Sequence, residues 1–331
     1  MRFPLSLTLS LGSYIGKNKM SGNKRFPLVM MLEPLHTCNL RCSGCGRIRE
    51  YSETLSKMMT VDECLRASDE CGAPIVSICG GEPLIYPEIG ELVKSLIAKG
   101  RHIYLCTNAL KLKDSLHLFE PSDHLIFNVH LDGQEATHDA IVCRPGTFKN
   151  ALEGIAAAKE KGFLVSTNST IYSETEMSDI EGLLTTLAAF KVDCHMIAPG
   201  YDYEAVQNGE FFLKRKDIAE KFKKIDKLAE QFPLSDTPIY IDFLKGLRDM
   251  PCAPWGSPTC NPVGWRSPCY MLADTHYDTF KELMEKTDWD AYGPGNDPRC
   301  EDCMVHCGFE TSIAITSGLK DMMRMAAWQL K

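Results

Sequence analysis

No run of about eighteen apolar residues occurs in the 331-residue chain, so no segment reads as a membrane-spanning helix. Basic charge is in deficit: 36 Lys and Arg against 44 Asp and Glu leave a formal net charge of −8. That argues against a general nucleic-acid-binding face. No internal repeat or low-complexity tract is evident. With 44% apolar and 24% charged residues, the composition is that of an ordinary folded protein, not a disordered or coiled-coil chain. The length gives room for one large domain, or one plus a small appendage. A clean secretory signal is also missing, because the stretch from Arg2 through residues 5–15 to Lys17 and Lys19 lacks a small-residue cleavage site.

Cysteine, by contrast, is plentiful. Fifteen is an odd number, and the chain is large enough to bury a core without disulfide staples. Three of the cysteines fall within eight residues, which fits thiolate-bound metal in a reducing cytoplasm. Residues 1–25 form an N-terminal arm. Leucines alternating at 5, 7, 9 and 11 suit a strand packed locally on the domain. The competing reading is a helix lying on the inner membrane surface, with lysines following its apolar residues.

From residue 28 to 231, apolar strand-like runs alternate with helical patterns. Strands are expected at 28–32, 73–79, 102–106, 124–131, 163–170 and 192–197. Helices are expected at 88–99, 147–161, 176–190 and 214–231, with a short one at 114–119. Thr60 and Glu63 make a capping box for a further helix closing at Gly72. Six strand–helix units with strands apolar enough to be buried on both faces predict an α/β fold with a parallel sheet. It is either curled as a partial barrel or open and doubly wound, with the active site at the carboxyl ends of the strands. The core domain is expected over residues 26–235, followed by a small cysteine-rich module over 236–331.

The segment Cys38-Asn-Leu-Arg-Cys42-Ser-Gly-Cys45 follows the first strand directly. Three thiolates on one loop suit a [4Fe–4S] cluster with one open iron, which S-adenosylmethionine can chelate. The alternative is a zinc loop that borrows a distant fourth ligand. Gly80-Gly81-Glu82-Pro83 ends the second strand; its glycines let backbone approach a ligand, and Glu82 can accept from an ammonium group. Together these motifs resemble the radical S-adenosylmethionine superfamily. The resemblance implies a partial (β/α)6 TIM-like barrel and assigns Gly80, Gly81 and Glu82 to the cofactor. Thr107-Asn108-Ala109 resembles the family's TNG turn, which adds Asn108. His130-Leu131-Asp132-Gly133 resembles its SLDG-like turn, which adds His130 and Asp132, with His130 where a ribose-contacting Ser is common. Asn168 or Thr170 on the fifth strand is a further candidate.

Cys252-x11-Gly264-x4-Cys269 resembles the opening of SPASM/twitch auxiliary-cluster modules, and Cys300-x2-Cys303-x3-Cys307 supplies more thiolates. Cys269, Cys300, Cys303 and Cys307 are the first-choice ligands of a second [4Fe–4S] cluster, with Cys252 in reserve and zinc as the alternative metal. Cys64, Cys71, Cys143 and Cys194 read as structural. The segments 32–35, 69–74, 80–84, 104–110, 129–133, 254–256, 281–295 and 302–308 resemble the hopanoid-biosynthesis branch of the superfamily. That resemblance implies addition of a 5′-deoxyadenosyl radical to the alkene of diploptene, with a flavodoxin- or ferredoxin-like electron donor and no nucleic acid. Cys106, at the end of the third strand, is the expected donor of the final hydrogen; the plainer reading is a small buried hydrophobe. Two rivals are a SPASM-type peptide-modifying enzyme and a non-catalytic iron–sulfur carrier.

Overall fold

Six parallel strands carry the core: β1 (Val29–Leu32), β2 (Ile75–Ile78), β3 (His102–Thr107), β4 (Leu125–His130), β5 (Leu164–Ile171) and β6 (Cys194–Pro199). The computed structural model describes residues 3–203, 205–206 and 209–329, so the expectations touching Met1, Arg2, Leu330 and Lys331 lie outside them. The strands pair in chain order, with Met31 beside Ser77, Ser77 beside Tyr104, and Cys106 beside Asn128. This is the α/β architecture of a partial barrel, and it stays open.

Alternation along each strand explains the layering. Met30, Leu32, Val76, Ile78, Ile103, Leu105, Phe127 and Val165 face outward into one apolar core. Helices α2 (Val61–Cys71), α3 (Ile89–Ala98), α4 (Thr147–Glu160) and α5 (Met177–Ala189) cover that face. The capping box at α2 is complete: the Glu63 N–H donates to Thr60 Oγ1, the Thr60 N–H donates to Glu63, and Gly72 closes the helix at φ 68°. The alternate positions point inward and are partly polar. Ser77, Cys106, Asn128 and Ser166 form a hydrogen-bonded row across four strands.

Three expectations need correction. The leucine alternation at the N-terminus is not a strand: Leu5–Met20 is helix α1. Serine, threonine and glycine at the intervening positions are compatible with a helix, and the segment finds no strand to pair with among the described residues. The charged helix over 214–231 is two helices, α6 (Arg215–Lys221) and α7 (Ile225–Gln231). Lys223 N–H and Ile225 N–H each donate to the carbonyl three residues earlier, and this break turns both Phe222 and Ile225 into the core. Finally, the C-terminal region is more than a metal staple. Strands β7 (Thr259–Asn261), β8 (Gly264–Pro268) and β9 (Ala273–Tyr277) extend the same sheet, with β7 parallel to β1 and the last two antiparallel. Helices α8 (Pro238–Leu244) and α9 (His306–Thr316) meet through Phe243 and Phe309, 4.4 Å between ring centroids, in a second apolar core shared with Ile171 of β5, Ile197 of β6 and Leu184 of α5. Helix α10 (Leu319–Gln329) ends the described chain.

Candidate active site

The carboxyl ends of β1 to β5 bring the predicted residues together. Cys38, Cys42 and Cys45 lie on the loop after β1, the first two half-buried and the third exposed. Neighbouring strand ends hold this loop. Gly81 N–H donates to Leu35 O (3.0 Å) and Glu82 N–H to Thr37 O (2.9 Å). A Cβ at Gly81 would overlap the Thr37 carbonyl, and Gly80 stands at φ 103°, so only glycine permits this approach. Asn108 Nδ2 donates to Asn39 Oδ1 (2.7 Å) and reaches Cys38 Sγ at 3.9 Å. Ala109, where the TNG pattern has glycine, adopts φ 61°.

Glu82 is fully buried and already engaged. It accepts from Thr107 Oγ1 (2.7 Å), Asn108 N–H (2.9 Å) and Leu84 N–H (3.0 Å). Burial raises its pKa and these bonds oppose the rise. Its carboxylate therefore ties the β2 turn to the β3 turn. Asp132 is enclosed as well: its Oδ1 accepts from Thr170 N–H (2.7 Å) and its Oδ2 lies 2.7 Å from His130 Nε2. Burial works against protonation of His130, but the Asp132 carboxylate outweighs it and raises the pKa. Asn168 pairs with His130 in register.

Burial pushes the Cys38 thiol up to about 12 and raises Cys42 too. Such thiols ionise when a cation takes the proton's place, which suits metal ligation. Among the described residues no three His, Cys, Asp or Glu side chains converge on one point, as ligands of a single metal ion do. A cubane asks for a different arrangement, with each thiolate on its own iron. The three-thiol loop beside a glycine cradle fits a cluster plus a chelating nucleotide.

Cys106 is partly exposed on the inward face of β3. Its Sγ lies 3.4 Å from Ser77 Oγ and accepts from Asn128 Nδ2 at 3.6 Å. Burial raises its pKa, so it stays a thiol at neutral pH. Cys79, one register step beyond Ile78 and Leu105, is buried beside it.

In the C-terminal region, Cys269, Cys300 and Cys303 line one apolar cavity, and Cys307 packs into the same cluster at the start of α9. Cys252, kept in reserve by sequence, lines that cavity too, with its Sγ against Gly308. Five thiols thus surround the site. Cys260 is a core residue on β7, packed away from them. Cys64, Cys71 and Cys194 are buried as expected, but Cys143 is exposed: it sits at φ 56° with Sγ 3.3 Å from Ser43 Oγ of the cluster loop.

A buried ion-pair network that no sequence motif announces joins the two cysteine sites. Arg47, two residues past Cys45, pairs with Glu33 (3.0 Å) and Glu50 (2.9 Å). Glu50 also pairs with Arg266 (2.6 Å), which donates to the carbonyls of Cys269, Met271 and Leu272. Tyr51 accepts from Arg266 and Asn261, with His36 stacked on its ring at 3.8 Å. Two arginines balance two glutamates, so charge is neutralised where water is excluded.

Comparison with known proteins bears on this geometry. The chain is 26% identical over 253 residues to the GTP 3′,8-cyclase of Clostridium perfringens (strain 13 / Type A), covering 70% of this chain and 77% of that one. It is 23% identical over 310 residues to the antilisterial bacteriocin subtilosin biosynthesis protein AlbA of Bacillus subtilis (strain 168), covering 85% and 66%. The fold is similar to Streptococcus suis SuiB bound to its precursor peptide SuiA, with TM-score 0.66, 15% identity, and 87% and 72% of the two chains covered. Residues 195–327 match a domain of unknown function, DUF3463. Residues 32–187, which carry the cysteine loop, the glycine turn and the other strand-end residues, match the family model described as the radical SAM superfamily. Over those residues, just under half of the chain, the sequence matches the radical S-adenosylmethionine superfamily.

Proposed function

We propose that this radical S-adenosylmethionine enzyme joins a 5′-deoxyadenosyl group to the alkene of a polyprenoid, diploptene being the first candidate. In this reading Cys106 supplies the hydrogen that completes the product. The superfamily's cofactors are S-adenosylmethionine and a [4Fe–4S] cluster, which together supply the 5′-deoxyadenosyl radical when bound. Cys38, Cys42 and Cys45 would hold the cluster. The Gly80–Gly81 backbone, Glu82, Asn108, His130, Asp132 and Asn168 would line the nucleotide. Cys269, Cys300, Cys303 and Cys307, with Cys252, would hold a second cluster.

The observation that carries the reading is Cys106. Radical addition to an alkene leaves an unpaired electron on carbon, and a saturated product needs one hydrogen atom. A neutral thiol on the inward face, held by Ser77 and Asn128, can give it. The C–H bond forms, the S–H bond breaks, and one electron with one proton from a flavodoxin- or ferredoxin-like donor resets the sulfur. Replacing Cys106 by alanine is expected to reduce adenosylated product to background while methionine release from S-adenosylmethionine continues. Undiminished product in the variant would contradict the assignment. A peptide substrate is the second reading, favoured by the fold likeness to a peptide-bound enzyme and by the similarity to AlbA. Incubating the same protein with diploptene and with candidate peptides, followed by mass spectrometry of the products, divides the two.

A further inference from the structure

Six of the ten large apolar side chains that stand exposed among the described residues lie on just two helices. Leu5, Leu9 and Met20 are on α1; Leu319, Met322 and Met323 are on α10. Leu5 and Leu9 are one turn apart on one face, as are Leu319, Met322 and Met323. The two helices are held together at their ends: the Phe3 and Trp328 rings meet edge to face at 5.8 Å, and Gln329 Nε2 donates to Phe3 O and Thr8 Oγ1. Each is also tied to the rest of the fold. Tyr14 packs on Phe26, while Asp321 and Arg324 pair with Arg248 and Asp242. Only Leu7 of α1 is buried, and no residue of α10 is.

Charge is distributed against the trend of the molecule. Before Glu33 the sequence has five cations and no carboxylate, in a chain whose formal net charge is −8. Asp290 engages Arg25, but Lys17, Lys19 and Lys24 are exposed. Lys17 and Lys19 sit in the last turn of α1, beyond its exposed leucines.

We propose that α1 and α10 form a docking face for an anionic lipid bilayer, with Leu5, Leu9, Leu319, Met322 and Met323 entering the interface and Lys17 and Lys19 meeting the headgroups. Apolar side chains on a helix too short to cross, followed by lysines, are the features of a surface-lying anchor. A second copy of this chain fits less well, because a two-fold contact sets a patch against itself and would oppose the lysines. The inference does not depend on which substrate the active site takes, although an apolar alkene would be met at such a surface.

The test uses the full chain without substrate, sedimented with vesicles of phosphatidylcholine alone or of equal parts phosphatidylcholine and phosphatidylglycerol. Binding to the anionic vesicles, weakened by salt, is expected. The Leu5→Glu/Leu9→Glu and Lys17→Glu/Lys19→Glu variants should each bind at least about tenfold more weakly, with far-UV circular dichroism unchanged. No vesicle binding, or binding by both variants as tight as that of the unaltered chain, would overturn the proposal. So would concentration-dependent dimers that the same variants abolish in the absence of vesicle binding. Vesicle binding by a protein that leaves polyprenoids unmodified would sink the functional reading alone.

Discussion

At the scale of single residues, burial governs the chemistry. Cys106 keeps its proton because the barrel interior penalises a thiolate, and a hydrogen-atom donor needs that proton. The same penalty makes stability depend on pH. Burial lowers His195 from its ordinary 6.5 to about 4, with Nδ1 2.7 Å from Thr167 Oγ1. Between those values the unfolded chain binds the proton and the folded chain does not, so stability falls as pH drops from 6.5 towards 4. Replacing His195 by glutamine, measured by urea unfolding at pH 7 and pH 5, should shrink the difference between the two pH values. An unchanged difference would show that other groups carry it. Gly81 is a steric counterpart. Gly81→Ala places a methyl on the Thr37 carbonyl, so the variant should lose iron from the N-terminal site while its circular dichroism stays native.

At the scale of elements, the Arg47–Glu50–Arg266 network positions both cysteine loops. Arg266→Met leaves Glu50 without one partner and three carbonyls without a donor. Its unfolding free energy should fall by about 3–5 kcal/mol, measured by chemical denaturation; a loss within about 0.5 kcal/mol would mean that water replaces the guanidinium. This network also marks where sequence reading stops. The α2 capping box was legible because Thr60 and Glu63 are three residues apart, and the six core strands because their apolar runs are local. Arg266 and Glu50 are separated by 216 positions, and nothing near either residue announces the other. The cysteine spacing of the N-terminal loop located its site, whereas bringing Cys252 beside the four first-choice thiols required the fold. β7 turns Cys260 into the core, and the α9 start brings Gly308 against Cys252. The misread N-terminus has the same origin: leucine alternation carries a strand signal that only a pairing partner can realise.

At the scale of the whole molecule, one sheet runs from β6 through β1, which leads into the Cys38–Cys45 loop, to β9, so both cysteine sites stand on a common frame. They should nonetheless load independently. A Cys38/Cys42/Cys45→Ala variant reconstituted anaerobically should keep about four irons per chain, all at the C-terminal thiols; retention of none would mean that the second site depends on the first. One iron of the N-terminal cluster is proposed to stay open for S-adenosylmethionine. The most direct test is electron paramagnetic resonance of the dithionite-reduced protein in which Cys269, Cys300, Cys303 and Cys307 are replaced by alanine. Addition of S-adenosylmethionine should shift the signal of the remaining cluster and release methionine. A signal indifferent to the nucleotide, or a site that binds only zinc, would contradict the account.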